Sequence, residues 1–147
     1  MGMLDSETVL SAAQSTAAFA VGDNASTNVY DTGSANDDEA AQTGENLWVN
    51  IVCNTLFAGA TATAQGVLQS APDNATWTDV VAGPALLATG VVVGQSLLTV
   101  QPPIGTQRYW RTIIRVAVAN LTAGAIDSYI SNTIQHNIQR PSGFSVA

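Results

Sequence analysis

The stretch QRYWRTIIRVAV at residues 107–118 is the densest β-forming run of the chain and carries three of its four basic residues. Aromatic and β-branched side chains dominate it, which is typical of a pleated, half-buried strand. Successive side chains of a strand point to opposite faces, so the run divides into two sets. The set predicted to face the core is Trp110, Thr112, Ile114, Val116 and Val118, and the opposite set is Tyr109, Arg111, Ile113 and Arg115.

The arginine-bearing face has two interpretations. Arg111 and Arg115 could bind a neighbouring protein, or they could pair with the chain's own carboxylates, for which Asp31 and Asp127 are candidates. Both interpretations supply the partner that a guanidinium on a long central strand requires, because a buried charge is costly unless it is paired. The sequence leaves the choice open.

Composition indicates one domain that lies against other proteins. A chain of 147 residues can bury one sizeable core. Charged residues make up only 10% of it, against the usual quarter or so, while 46% are hydrophobic. Uncharged polar and small residues must therefore cover the surface, which is typical of proteins that are packed against other proteins.

The charge distribution argues against nucleic-acid binding. The formal net charge is -7, lysine is absent, and all but one of the carboxylates precede the first arginine, Arg108. Such a chain lacks a patch that could neutralise phosphates. We expect the acidic first part and the weakly basic last third to match each other, within one sandwich or between copies of the chain.

Cysteine usage and hydropathy exclude two further classes. Cys53 is the single cysteine, so an intrachain disulfide framework is ruled out, and its alternation with Val49 and Ile51 predicts a small buried side chain. No signal-like pattern opens the chain, and no apolar run reaches the roughly 18 residues of a membrane helix. We expect no membrane association.

Two ends and one loop fall outside the predicted sandwich. Residues 4–14 have the spacing of a short amphipathic turn that is too isolated to be stable, which predicts an N-terminal arm over residues 1–14. Residues 32–46 read as a solvated loop, in which the acidic run 37–39 lacks the spacing of a calcium site. Alternation ends after residue 135, which predicts a C-terminal tail over residues 136–147.

The intervening domain, residues 15–135, reads as a series of short strands. We predict strands over residues 47–54, 61–70, 96–100, 107–118 and 125–134, β-prone pieces at 17–21 and 27–31 around turn residues 22–24, and either a helical turn or a strand over 85–93. Short strands with turn signals and no long helix indicate an all-β fold, an antiparallel β-sandwich of the jelly-roll type.

Catalytic motifs are missing from the sequence. His136 is the single histidine and lies where the last strand gives way to the tail. No nucleophile elbow, phosphate-binding loop, dinucleotide fingerprint or zinc-protease motif occurs. We therefore expect no enzymatic activity, no cofactor and no metal.

Five short stretches, in this order, carry a family resemblance: TNVYDTG at 27–33, LWVNI at 47–51, SAPD at 70–73 with TW at 76–77, RYWR at 108–111, and LTAG at 121–124. Together they resemble the capsid cement proteins of tailed bacteriophages of the Bordetella podophage type, over residues 4–134. The resemblance implies a jelly-roll protein that decorates the outer surface of an icosahedral capsid, bridges major capsid subunits and stabilises the shell. It also implies a virion protein made in the host bacterial cytoplasm.

The expected partners are the major capsid protein and further copies of the chain, as a dimer or trimer at capsid symmetry axes. The alternative function is a jelly-roll carbohydrate-binding module for host-surface glycans, in which Trp48, Trp77 or Trp110 would stack on sugar rings. The residues predicted to form interfaces are Leu4, Leu10, Tyr109, Arg111, Arg115, Arg140 and Phe144.

Overall fold

The computed structural model describes residues 8–32, 47–103 and 106–131. Within these ranges the chain forms ten strands, and a 3-10 turn lies at Ala88–Gly90. The strands are β1 (Val9–Ser15), β2 (Gly22–Ala25), β3 (Tyr30–Asp31), β4 (Trp48–Ala58), β5 (Thr63–Ala71), β6 (Thr78–Ala82), β7 (Leu86–Leu87), β8 (Ser96–Val100), β9 (Tyr109–Ala117) and β10 (Ala123–Ser131).

The strands form two antiparallel sheets. A four-stranded sheet has the order β1-β10-β4-β8, and a six-stranded sheet has the order β2-β9-β5-β6, with β3 also paired to β9 and β7 to β5. The chain passes repeatedly from one sheet to the other, so strands that are distant in sequence become neighbours. This order is that of a jelly roll, and the predicted all-β antiparallel sandwich is confirmed.

The division of β9 into two faces is also confirmed. Trp110, Thr112, Ile114 and Val116 are all buried, and the three apolar ones belong to the hydrophobic core. Trp110 donates its indole N–H to the carbonyl oxygen of Gln107 at 2.6 Å, which satisfies its polar atom inside the core. Burial of this apolar set against the facing sheet drives the two sheets together.

Small residues let the sheets approach closely beside β5. Ala64 and Gly66 face inward together with Leu68, as the sequence pattern predicts. A Cβ atom at Gly66 would lie 3.0 Å from Cδ1 of Ile51 and 3.2 Å from the carbonyl oxygen of Leu97. The inward position at residue 66 therefore has room for glycine and little else.

The arm predicted for residues 1–14 is wrong in its second half. Residues 9–14 lie in β1, which pairs with β10. Leu10, predicted to be an interface residue, has 0% exposure and belongs to the core. The physical reason is long-range. An isolated apolar residue in a weak local pattern becomes part of the core because β10, which is distant in sequence, provides the hydrogen-bonding partners for β1.

Three local predictions need correction. The expected strand and turn change places: residues 17–21 form no strand, and residues 22–24 are part of strand β2, because β9 supplies its hydrogen-bonding partners. The ambiguous residues 85–93 contain both the strand β7 and the 3-10 turn. Val118, predicted to face the core, is 74% exposed because β9 ends at Ala117 and the backbone of Val118 turns to a φ of 72°.

Several predictions lie outside the described residues. These are the interface roles of Leu4, Arg140 and Phe144, the solvated loop and its acidic run at 37–39, the position of His136, and the C-terminal tail over residues 136–147.

Candidate interaction surface

The outer face of the six-stranded sheet brings polar side chains into two adjacent rows. In one row Arg111 of β9 lies opposite Gln69 of β5, which in turn lies opposite Asp79 of β6. In the other row Asp23 of β2 lies opposite Arg115 of β9. Between the two rows, Val67 of β5 lies opposite Ile113 of β9, and both are buried. The polar side chains therefore surround an apolar centre.

Arg115 is neutralised within the chain. Its Nε donates to Oδ1 of Asp23 at 2.7 Å and its Nη2 to Oδ2 of Asp23 at 3.0 Å. Nη1 and Nη2 also donate to the two carboxylate oxygens of Asp79, at 2.9 and 3.2 Å. Asp23, followed by Asp79, raises the pKa of Arg115 above its ordinary value. Arg115 therefore ties β9 to both edges of its sheet.

Arg111 is held without a carboxylate from the described part of the chain. Its Nε donates to Oε1 of Gln69 at 2.9 Å, and its guanidinium carbon lies 4.2 Å from the centre of the Trp77 ring. Gln69 is itself fixed, because it is buried and its amide nitrogen donates to Oδ1 of Asp79 at 2.8 Å. Partial burial lowers the pKa of Arg111 from its ordinary value, since no carboxylate bonds to it to offset the desolvation.

A tight turn before β6 positions Trp77. Oδ1 of Asp73 accepts the backbone N–H of Ala75 at 3.0 Å and that of Thr76 at 2.7 Å. These hydrogen bonds, together with that from the Thr76 hydroxyl, lower the pKa of Asp73. An aspartate that closes a turn in this way presents the residue after the turn in a defined direction, and that residue is Trp77.

The remaining described arginine, Arg108, immediately precedes β9. Arg108 binds both carboxylate oxygens of Asp31, at 2.7 and 2.9 Å, and this raises its pKa. Its guanidinium carbon also lies 4.9 Å from the centre of the Tyr109 ring. Tyr109, which was predicted to be an interface residue, is half-buried beneath this cation.

The two interpretations of the arginine face therefore divide between its two arginines. Arg115 pairs with the chain's own carboxylates, although these are Asp23 and Asp79. Of the acids that the sequence suggested, Asp31 binds Arg108. The other, Asp127, accepts hydrogen bonds from the Ala13 backbone N–H and the Asn54 amide.

Sequence reasoning missed Gln69, Asp23 and Asp79 as partners, and it considered Trp77 as a motif residue and a possible sugar-stacking residue rather than as a partner of Arg111. The alternation of β5 did place Gln69 on the outer face, beside Val67. Which strand lies next to β9 is decided by the jelly-roll order, and no local signal specifies it. Trp77 and Arg111 are 34 positions apart in the sequence, and only the pairing of β5 with both β6 and β9 brings them together.

The tryptophans offer little support for glycan stacking. All three lie in described parts of the chain, and none is exposed: Trp110 is fully buried, and Trp48 and Trp77 are half-buried. One face of the Trp77 ring already carries the Arg111 guanidinium. A sugar ring would have to displace that cation to stack on the same face.

The described side chains that could act in catalysis or bind a metal do not cluster. A shallow cleft of about 260 Å³ adjoins Asp79, and its lining contains no second carboxylate, histidine or cysteine. Among the described residues, no cluster of three histidine, cysteine or acidic side chains could hold a metal ion. Cys53 is buried, as predicted, and burial raises the pKa of its thiol. The expectation that the protein is not an enzyme stays a prediction.

In the described part of the chain, no helical segment has the length and apolar character to cross a bilayer.

Most of the chain matches a known protein family. Residues 10–130 match the Bbp16 family, a range that includes the strands that hold Arg111, Arg115, Gln69 and Asp79. The chain belongs to the Bbp16 family. The name of this family indicates a Bordetella phage protein, which agrees with the phage origin suggested by the sequence motifs. No curated protein matches the chain.

Proposed function

We propose that the protein is a structural component of a bacteriophage virion that decorates the outer surface of the capsid, bridges major capsid subunits and stabilises the shell. The Bbp16 family match supports a phage protein. The narrower role in capsid decoration rests on the motif resemblance and on the geometry of the outer sheet face.

The observation that carries this proposal is the Arg111–Trp77 pair on the outer face of the six-stranded sheet. Arginine and tryptophan are the residue types that most often dominate protein–protein binding energy. Here both are half-buried, Gln69 holds Arg111, and Arg111 lies over the Trp77 ring, so little side-chain entropy remains to be lost when a partner binds. A preformed contact of this kind suits a protein that binds a regular lattice many times over.

Partners in this proposal are the major capsid protein and other copies of the chain, as a dimer or trimer at capsid symmetry axes. Symmetric assembly would let one chain contact repeated subunits in equivalent ways. The segments before residue 8 and after residue 131 are proposed to contribute further contacts, with Leu4, Arg140 and Phe144 as their apolar and basic anchors.

Mass spectrometry of purified virions of the phage that encodes this chain tests the proposal. The protein should be present at a copy number comparable to that of the major capsid protein, and cryo-electron microscopy should place it outside the shell. Particles produced without it should lose genome-filled heads at a lower temperature, and purified protein added back should restore their stability.

Absence of the protein from virions would overturn the proposal, as would a few copies at the tail alone. Binding of the purified protein to bacterial cell-wall glycans, with no binding to capsid shells, would support the carbohydrate-binding alternative instead.

A further inference from the structure

We propose that Arg111 is preorganised to bind a carboxylate. The capsid protein to which this chain binds would supply that carboxylate from an aspartate or glutamate side chain. This inference rests on the proposed function and deepens it, because it names the chemistry of the partner's contact. It concerns one guanidinium that the fold leaves with unused hydrogen-bond donors.

Two described acids on this face, Asp23 and Asp79, already bind Arg115. Asp23 exerts an attraction on Arg111, yet both of its carboxylate oxygens accept hydrogen bonds from Arg115. Asp79 accepts two hydrogen bonds from Arg115 and one from Gln69. Of the three arginines that the structure describes, Arg108 and Arg115 form salt bridges and Arg111 does not. Arg111 is the surplus cation of this face.

The guanidinium of Arg111 is also aligned in advance. Nε is occupied by Gln69, and the guanidinium carbon lies over the Trp77 ring. These two contacts limit rotation of the side chain and leave Nη1 and Nη2 as the donors for a partner. A carboxylate can accept two parallel N–H bonds from an arginine, and such bidentate pairs are the stronger class of charge-assisted hydrogen bonds.

A single carboxylate suits this site better than a phosphate backbone. The chain has a formal net charge of -7, so a polyanion would be repelled by the rest of the molecule. Asp23 and Asp79 stand beside the site and would oppose a dense row of negative charges. An acidic side chain on a protein surface brings one charge to one free guanidinium and avoids this repulsion.

Equilibrium binding of the labelled, full-length chain to capsid shells prepared without it provides the test. Arg111→Gln should weaken binding by at least about 10-fold, because arginines at the centre of an interface are frequent hot spots. Arg111→Lys keeps the charge and loses the planar fork, so it should weaken binding by an intermediate factor. Arg108→Gln removes an equal charge from a guanidinium that already has a partner, and it should change binding by less than about 2-fold.

The salt dependence of binding and suppressor mutations identify the chemical group of the capsid protein that binds Arg111. Wild-type binding should weaken from 0.05 to 0.5 M NaCl more steeply than Arg111→Gln binding, since the variant lacks the interfacial charge. An Arg111→Glu phage should acquire suppressors in the capsid protein that replace an acidic residue with lysine or arginine. Nuclease treatment of the shells should leave binding unchanged.

Each contrary result has a distinct meaning. Shells that do not bind the wild-type chain would overturn both the proposed function and this inference. Equal affinity of wild-type and Arg111→Gln protein for shells would overturn this inference and leave the proposed function standing. Loss of binding after nuclease treatment would indicate a phosphate partner, and suppressors that never involve an acidic residue would contradict the carboxylate.

Discussion

The hydroxyl oxygens of Thr112 and Ser128 lie 2.6 Å apart in the core, with both residues essentially inaccessible to solvent. Thr112 lies on β9 of the six-stranded sheet and Ser128 on β10 of the four-stranded sheet. This hydrogen bond therefore joins the two sheets across the core. It also explains how the core face of β9 accommodates a polar residue.

Removing both hydroxyls of this pair should cost less than the sum of the losses from removing each one alone. Ser128→Ala should lower the free energy of unfolding by about 1–3 kcal/mol, because the Thr112 hydroxyl is left buried without a partner. Thr112→Val together with Ser128→Ala should lose less than the sum of the two single variants, as measured by urea denaturation in a double-mutant cycle. Additive losses would show that the two hydroxyls do not depend on each other.

Arg115→Gln should reduce stability, because Asp23 and Asp79 then lose the cation between them. Exposed ion pairs contribute about 0.2–1 kcal/mol each, and Arg115 serves two carboxylates, so we expect a loss of about 1 kcal/mol. Urea denaturation should show that this difference shrinks in 0.5 M NaCl. Arg108→Gln, which breaks the single pair with Asp31, should cost less, and a larger loss than that of Arg115→Gln would contradict the bridging role.

Acid should weaken the fold through Asp79. Its hydrogen bond from Arg115, followed by that from Gln69, lowers the pKa of this carboxyl in the folded state. A carboxylate with a lowered folded pKa stabilises the protein above its unfolded pKa of about 3.9, and that contribution is lost as the pH falls through the folded value. Urea denaturation below pH 4 should therefore show a shallower loss of stability for Asp79→Asn than for wild type.

Carboxyl NMR titration measures the same effect directly. Arg115→Gln should raise the pKa of Asp79 more than Gln69→Ala does, because the arginine is the larger cause of its shift. A wild-type Asp79 that titrates at or above the ordinary aspartate value would be inconsistent with the network.

Leu10 is a core residue, and its truncation should show this. Leu10→Ala should lower the free energy of unfolding by about 2–5 kcal/mol, the usual range for a buried leucine. Leu56 provides a matched control because it is 57% exposed, and Leu56→Ala should change stability by less than about 0.5 kcal/mol. Equal, small effects in thermal and urea denaturation would return Leu10 to the predicted arm.

Val118 should be a site of stabilising substitution. Its φ of 72° lies in the left-handed region, which is unfavourable for a β-branched side chain, and the residue is 74% exposed. Val118→Asn should raise the free energy of unfolding by roughly 0.5–1 kcal/mol, because asparagine tolerates this conformation better. The control is Val93→Asn, at a residue that is 58% exposed and has no positive φ, and it should give no such gain in the same urea experiment.

Local alternation was sufficient to predict much of the fold. The period of two along β9 and β5 identified the buried faces that hold Trp110, Ile114 and Leu68, because the direction of a side chain in a strand depends only on its position in the strand. The same pattern correctly predicted Cys53 as a small buried residue. The turn chemistry between the strands and the absence of helical periodicity were sufficient for the sandwich class.

Tertiary structure alone decided the surface and the edges. The partners of Arg115 lie 92 and 36 positions away in the sequence, and that of Arg111 lies 42 positions away, so their choice depends on which strands become neighbours. Leu10 lies in the core because β1 pairs with β10, although the local sequence pattern around Leu10 is weak. The sequence by itself determined which faces are apolar, since that is a local property. Strand order is a long-range property, and it left Arg111 without a carboxylate among the described residues.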